Sequence, residues 1–145
     1  RADGYEIAPS REAFFESADI VSLHIPLNKE TRGIVKYSDL ARMKPTALIV
    51  NTSRGPIIEE GALVRALKEG RPGFGAVDVF DDEPVLGGNH PLLKMDNVVC
   101  TPHLGWAEWT NFELYFREAF EQIVAYQQGL PMRLANPEVK LRKPA

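Results

Sequence analysis

Residues 47–79 read ALIVNTSRGPIIEEGALVRALKEGRPGFGAVDV: an apolar run, a helical stretch and a second apolar run. Ala47–Asn51 and Gly73–Val79 are short, apolar and rich in β-branched residues, as buried strands are. Between them, Glu59–Glu69 places Leu63, Ala66 and Leu67 on one face. Acidic residues in its first turn and Gly70 just past its end complete the pattern of a helix. A strand, a helix and a second strand in this order predict a parallel βαβ unit.

Working outward, Asp19–Ile25 (DIVSLHI) and Asn97–Thr101 (NVVCT) read as two further strands. Ser10 before Glu12, Ala13, Phe14 and Phe15 reads as the N-cap of a short helix. Tyr37–Met43 reads as another, ended by the Lys44-Pro45 step. The chain is therefore expected to be α/β, with a parallel sheet of about four strands, flanking helices and a long C-terminal helix. That last helix, Trp106–Gln128, carries aromatic and aliphatic residues on more than one face, which predicts packing against more than its own sheet. Core or interface packing is the plain reading of those rings. Gly129 stops the helix, and Lys140–Lys143 reads as a solvated terminus.

The 145 residues suit one domain with a real core, and 17 Lys+Arg against 20 Asp+Glu give a net charge of −3. With 44% hydrophobic and 26% charged residues the composition excludes a disordered or fibrous chain. The slightly acidic balance gives no footprint for nucleic acid or an anionic membrane. Cys100, the single cysteine, excludes an internal disulfide framework and a multi-cysteine zinc site. No apolar run is long enough to span a membrane and no signal peptide opens the chain, so the cytoplasm is the expected compartment. The first residue is Arg1 rather than Met, as in a fragment or a processed piece.

Parallel sheets bind ligands beyond the carboxyl ends of their strands, so the residues after each run are where chemistry is expected. After the second run comes Asn51-Thr52-Ser53-Arg54-Gly55-Pro56. The Arg54 guanidinium offers a planar fork for a carboxylate, and the alternative is a surface arginine in a turn. After the third comes Asp78-Val79-Phe80-Asp81-Asp82-Glu83-Pro84, whose carboxylates read as a solvated loop or as partners for a nearby base. A metal site there lacks a second ligand cluster. After the fourth comes Thr101-Pro102-His103-Leu104-Gly105-Trp106, where a carboxylate beside His103 would make it a general acid–base near neutral pH. Cys100, inside an apolar strand, reads as a small hydrophobe rather than a nucleophile. An Arg, a Glu and a His, each after a different strand, suit the polarisation and protonation of a carbonyl next to a carboxylate.

Four stretches carry a resemblance: Ala18–Val35 (ADIVSLHIPLNKETRGIV), Met43–Gly70, Gly75–Pro84 (GAVDVFDDEP) and Asn89–Trp106 (NHPLLKMDNVVCTPHLGW). In them the sequence is similar to the D-isomer-specific 2-hydroxyacid dehydrogenases, and the likeness extends from Ala18 to about Val139. The resemblance implies a partial Rossmann-like fold and NAD- or NADP-dependent interconversion of 2-keto acids and D-2-hydroxy acids. It implies that Arg54 binds the substrate's carboxylate and carbonyl oxygen, that His103 carries the proton, and that Glu83 hydrogen-bonds His103. It also implies that Asp78 receives the nicotinamide carboxamide, and that Ile25, Pro26, Thr52, Ser53 and Gly105, with Arg54 and His103, line the cofactor crevice. The long last helix would return toward a substrate domain, and a homodimer is expected of the intact protein.

The family's G-x-G-x-x-G phosphate loop is missing from the sequence. Gly70-Arg71-Pro72-Gly73-Phe74-Gly75 joins a helix to a strand, the wrong order for a phosphate cradle. The expected division is a nucleotide-binding domain over 1–105 without its phosphate-binding half, then the helix and tail over 106–145. An isolated piece of this kind is expected to bind cofactor poorly and to be inactive. A dehydrogenase-like co-repressor, which uses the same fold without turnover, is the alternative function. A structural domain with incidental Arg, Glu and His is the plain one.

Overall fold

The computed structural model describes residues 4–130 and 133–137; the predicted solvated terminus at Lys140–Lys143 lies outside them. The chain divides into two compact units, Arg1–Gly105 and Trp106–Ala145.

In the first unit the element order is α1 (Arg11–Ser17), β1 (Ile20–Leu23), α2 (Tyr37–Leu40), β2 (Leu48–Asn51), α3 (Ala62–Lys68), β3 (Phe74–Val77) and β4 (Val98–Cys100). The four strands form one sheet in the order β1-β2-β3-β4, and every neighbouring pair is parallel. All four carboxyl ends therefore open on the same edge. The register pairs Leu23 with Asn51 and Asn51 with Val77, which brings the loops after β1, β2 and β3 side by side.

Alternation along the strands divides the sheet into two faces. Val21, Leu23, Ile49 and Val77 are buried, joined in one core by Phe15 of α1, Leu40 of α2 and Leu63, Ala66 and Leu67 of α3. The opposite face is open: Ile20, Phe74 and Val99 are 64%, 52% and 67% exposed. Helices were expected over the sheet faces in general, and α1, α2 and α3 all contribute to the core on one of them.

Two helices differ from the sequence reading. α3 begins at Ala62 rather than Glu59, because Gly61, at φ 71°, makes the left-handed turn into it and leaves Glu59 and Glu60 outside. Glu59 instead accepts the Tyr37 N–H at 2.9 Å. α2 is a single turn ending at Leu40, with Ala41–Met43 in turns before Pro45. Its start is capped by Asp39, which accepts the Lys36 N–H at 2.7 Å and is itself gripped by Arg11 at 2.6 Å. α1 follows the reading, Ser10 Oγ accepting the Ala13 N–H at 3.1 Å. The Gly70–Gly73 segment does join a helix to a strand. A Cβ at Gly73 would lie 1.8 Å from the Pro45 carbonyl oxygen, so close backbone packing explains that glycine.

The second unit contains α4 (Trp109–Gln127), closed by Gly129 at φ 71°. None of its residues is buried within this chain. The helix starts at Trp109 rather than at the expected Trp106, and Trp106 folds back from the segment before it to lie 5.1 Å from Phe112, while Phe112 stacks on Phe116 one turn on at 6.2 Å. No helix among the described residues is long and apolar enough to cross a membrane.

Candidate active site

The loop after β2 is built by its own first residue. Asn51 is buried, its side-chain carbonyl accepts the Ser53 N–H at 3.1 Å, and its amide donates to the Arg54 carbonyl at 3.0 Å. An asparagine in this role folds the chain back within three residues and delivers Arg54 at the turn. Ser53 Oγ donates to the Ile25 carbonyl at 2.6 Å and so ties this loop to the one after β1. Thr52 and Pro26 are exposed beside it. Arg54 donates to the Ser53 carbonyl and forms no ion pair among the described residues, which leaves most of its fork for a ligand.

The loop after β4 is built by another strand. Asp78, 4% exposed, accepts the Thr101 hydroxyl at 2.5 Å and the Leu104 N–H at 2.7 Å on Oδ1, and the Gly105 N–H at 2.7 Å on Oδ2. Three donors on one carboxylate wrap the Thr101–Gly105 segment around it. His103 adopts φ 57° there, a backbone region that non-glycine residues seldom occupy and that clusters at functional sites. Burial pushes the Asp78 carboxyl up, but these hydrogen bonds and the nearby His103 bring it below its ordinary value. Gly105 packs closely as well, since a Cβ on it would lie 3.0 Å from Asp78 Oδ2.

Glu83 then reaches His103 from the loop after β3. One carboxylate oxygen accepts the Phe80 N–H at 2.7 Å and the other meets His103 Nδ1 at 2.6 Å. With Nδ1–H donated to the carboxylate, Nε2 is the nitrogen free to exchange a proton. Burial raises the Glu83 carboxyl; the His103 hydrogen bond, the Phe80 N–H and the charges of His103 and Arg54 more than offset it, so it titrates below its ordinary value. Beside the pair lies a largely apolar hollow of about 510 Å³, walled by Phe80, Pro84, Val85, Leu93 and Pro102.

The fold thus collects Arg54, Glu83, His103, Asp78, Gly105, Ser53 and Ile25 at one sheet edge, with Glu83 and His103 in direct contact. Asn51 and Thr101 escaped the sequence reading as site-builders. An asparagine closing an apolar run before a small polar loop is a usable signal for the first. Nothing local marks the second, whose partner is 23 residues away. Cys100 is half-buried and burial pushes its thiol up, which suits an inert side chain. Among the described residues no cluster of three His, Cys, Asp or Glu is arranged to hold a metal ion.

The residues present fit the nicotinamide end of a dinucleotide. Asp78 Oδ2 receives one hydrogen bond and keeps acceptor capacity, and Gly105 keeps the wall beside it free of a side chain. A strand-to-helix glycine loop for the pyrophosphate is not found among the described residues.

Residues 1–105 match the family model described as "D-isomer specific 2-hydroxyacid dehydrogenase, NAD binding domain". A glyoxylate reductase of Aeropyrum pernix is 45% identical over 137 residues, covering 93% of this chain and 41% of the relative. Among solved structures, an oxidoreductase of Ralstonia solanacearum is 51% identical with a TM-score of 0.88, covering 94% of this chain and 40% of the other. The D-isomer specific 2-hydroxyacid dehydrogenase of Lactobacillus delbrueckii ssp. bulgaricus, in its NAD-complexed form, is 27% identical with a TM-score of 0.70 over 84% of this chain and 40% of the other. The chain therefore spans about 40% of the length of the relatives it matches.

Proposed function

This chain belongs to the D-isomer specific 2-hydroxyacid dehydrogenase family, within its NAD binding domain, and from that premise we propose that it carries the proton-transfer and substrate-orienting groups of an NAD(P)-dependent oxidoreductase. The reaction interconverts 2-keto acids and D-2-hydroxy acids. The observation that carries this reading is the 2.6 Å contact between Glu83 and His103 at the same sheet edge as an arginine without an ion-pair partner among the described residues.

A bound nicotinamide supplies the hydride to the substrate's carbonyl carbon. Arg54 holds the substrate's carboxylate through paired N–H donors and polarises the neighbouring carbonyl. His103, protonated on both nitrogens with Nδ1–H held by Glu83, delivers the Nε2 proton to the carbonyl oxygen as charge builds there. In the oxidative direction His103 takes that proton back. Asp78, Thr52, Ser53, Ile25, Pro26 and Gly105 would hold the nicotinamide on the cofactor side, Asp78 serving as the acceptor for its carboxamide. The protein acts in the cytoplasm, to which a single unpaired cysteine is suited, and we assign it the homodimeric state implied by the family resemblance.

Substitution in the protein that carries this chain tests the reading. Arg54→Ala should raise KM for a 2-keto acid and lower kcat, with NADH consumption followed at 340 nm being the general assay for such turnover. An Arg54→Ala protein with unchanged KM and kcat contradicts the assignment.

A further inference from the structure

Phe80 touches neither proposed reacting group, yet three separate contacts meet on it. Its N–H donates to Glu83 at 2.7 Å. Its carbonyl lies against Gly55, the residue after Arg54: a Cβ at Gly55 would fall 2.4 Å from the Phe80 carbonyl carbon, 2.6 Å from its oxygen and 2.7 Å from the Asp81 nitrogen. Its buried ring meets the His90 ring at 5.0 Å, with planes 69° apart. We propose that Phe80 is a positioning residue that couples the two halves of the site. Its main chain sets the spacing between Arg54 and the Glu83–His103 pair, and the His90 ring holds it in place. The proposal rests on the reading above for its kinetic consequences, though not for its geometry.

The peptide after Phe80 has little freedom. Two residues earlier the strand exit is fixed by the Asp78 N–H bond to the Asn51 carbonyl at 3.0 Å. The Gly55 contact is backbone against backbone, so no side-chain rotation can absorb a methyl group there. Any displacement of the Phe80–Asp81 peptide moves the N–H that holds Glu83, and with Glu83 the partner of His103 Nδ1. One rigid unit therefore carries the turn that presents Arg54 and the carboxylate that orients His103.

His90 has two separable jobs. Its Nδ1 accepts the Leu92 N–H at 3.3 Å and caps the short 3-10 turn Pro91–Lys94, while its ring edge braces Phe80. The carboxylate that feels its charge is Asp81, also influenced by Glu60, Asp82 and Arg32. The charged groups acting on the pair itself are different: Arg54 on Glu83, and Asp78 opposite His103. An effect of His90 on the titration of His103 is thus expected to pass through Phe80.

The two jobs of His90 can be separated by substitution in the protein that carries this chain. His90→Asn keeps a capping side chain and removes the ring; His90→Phe keeps a ring and removes the cap. The readouts are the NMR titration of the His103 ring and the kcat and KM for a 2-keto acid. The proposal expects His90→Asn to move the His103 titration to lower pH, to lower kcat several-fold and to raise KM, since both loops rest on Phe80. His90→Phe should return all three toward the wild-type values. The reverse pattern, with Asn tolerated and Phe impaired, overturns it, as does a His103 titration indifferent to both. Gly55→Ala, where it folds, should raise KM and displace the His103 titration together by shifting the shared peptide. A folded Gly55→Ala protein with raised KM and an unmoved titration also overturns it. If the wild-type protein turns over no 2-keto acid, the functional reading fails, while the ring titrations still decide whether Phe80 couples the two loops.

Discussion

The loops after β2 and β4 each deliver one candidate side chain, Arg54 and His103, to the same sheet edge, and they are held in opposite ways. The Arg54 loop is closed locally, by Asn51 bonding residues two and three positions on. The His103 loop is closed from outside, by Asp78 and Glu83, which lie 20 or more residues earlier in the chain. A local closure needs little beyond its own sequence. A remote one requires two strands and two loops to be in register before His103 can take its left-handed backbone.

The largest effect that bears on this contrast is removal of the ring. His103→Ala should cut kcat by roughly 10²–10⁴-fold, the range general acid–base groups contribute, with only a small loss of melting temperature from the lost Glu83 contact. A kcat within a few-fold of wild type would show that the remotely held loop carries no proton.

Next comes Asp78→Asn, which removes the charge from a buried carboxylate with three donors. It should destabilise the fold by about 2 kcal/mol, since hydrogen bonds to a charged group are among the stronger ones. It should also lower kcat while leaving the Arg54 loop intact. Urea unfolding and steady-state kinetics read the two effects. Asn51→Ala makes the opposite cut: a raised KM from a loosened Arg54 turn, with the pH dependence of kcat unchanged. If both variants gave the same kinetic signature, the Asn51 and Asp78 hydrogen bonds would not hold different loops.

Acid sharpens the contrast further. Asp78 and Glu83 titrate below their ordinary values of 3.8 and 4.5, so the folded state binds protons at these sites less readily than the unfolded chain. Their stabilisation is complete above those ordinary values and fades as pH falls through the lower folded ones. Asp39, paired with Arg11, acts in the same sense. Melting followed by circular dichroism should therefore show Tm falling below about pH 4.5, less steeply in Asp78→Asn. A Tm independent of pH down to 2 would contradict the assigned roles. The smallest effect is expected of Ser53→Ala, which loses one exposed tie to Ile25 and about 1 kcal/mol or less of stability.

The same division explains what the sequence made legible. The four strands, the apolar face of α3 and the Arg54 turn follow from patterns within a few residues of each other, and the strands formed where expected. Glu83, His103 and Arg54 were readable as residues that follow strands, because parallel pairing puts every carboxyl end on one edge. The strapping by Asp78 was not readable, since nothing near Thr101 announces a carboxylate 23 residues upstream. The α3 start was misplaced because acidic residues favour a helix N-terminus in general, whereas Gly61 alone could make this left-handed turn. The rings of α4 mark the limit of periodicity. Apolar spacing tells which residues can share a face, and Trp106, Phe112 and Phe116 do meet, but it does not tell whether that face is buried.

The pH dependence of kcat in Glu83→Gln tests the central claim most directly. Glutamine keeps the shape and can accept from Nδ1–H through its one carbonyl oxygen, giving up the Phe80 N–H bond, and it removes the negative charge that favours the imidazolium. The account predicts that the limb reporting loss of the catalytic proton moves to lower pH relative to wild type, with KM for the 2-keto acid little changed. A limb that stays where it is in the wild-type protein, at unchanged kcat, would contradict the pairing of Glu83 with His103 as the proton-transfer device.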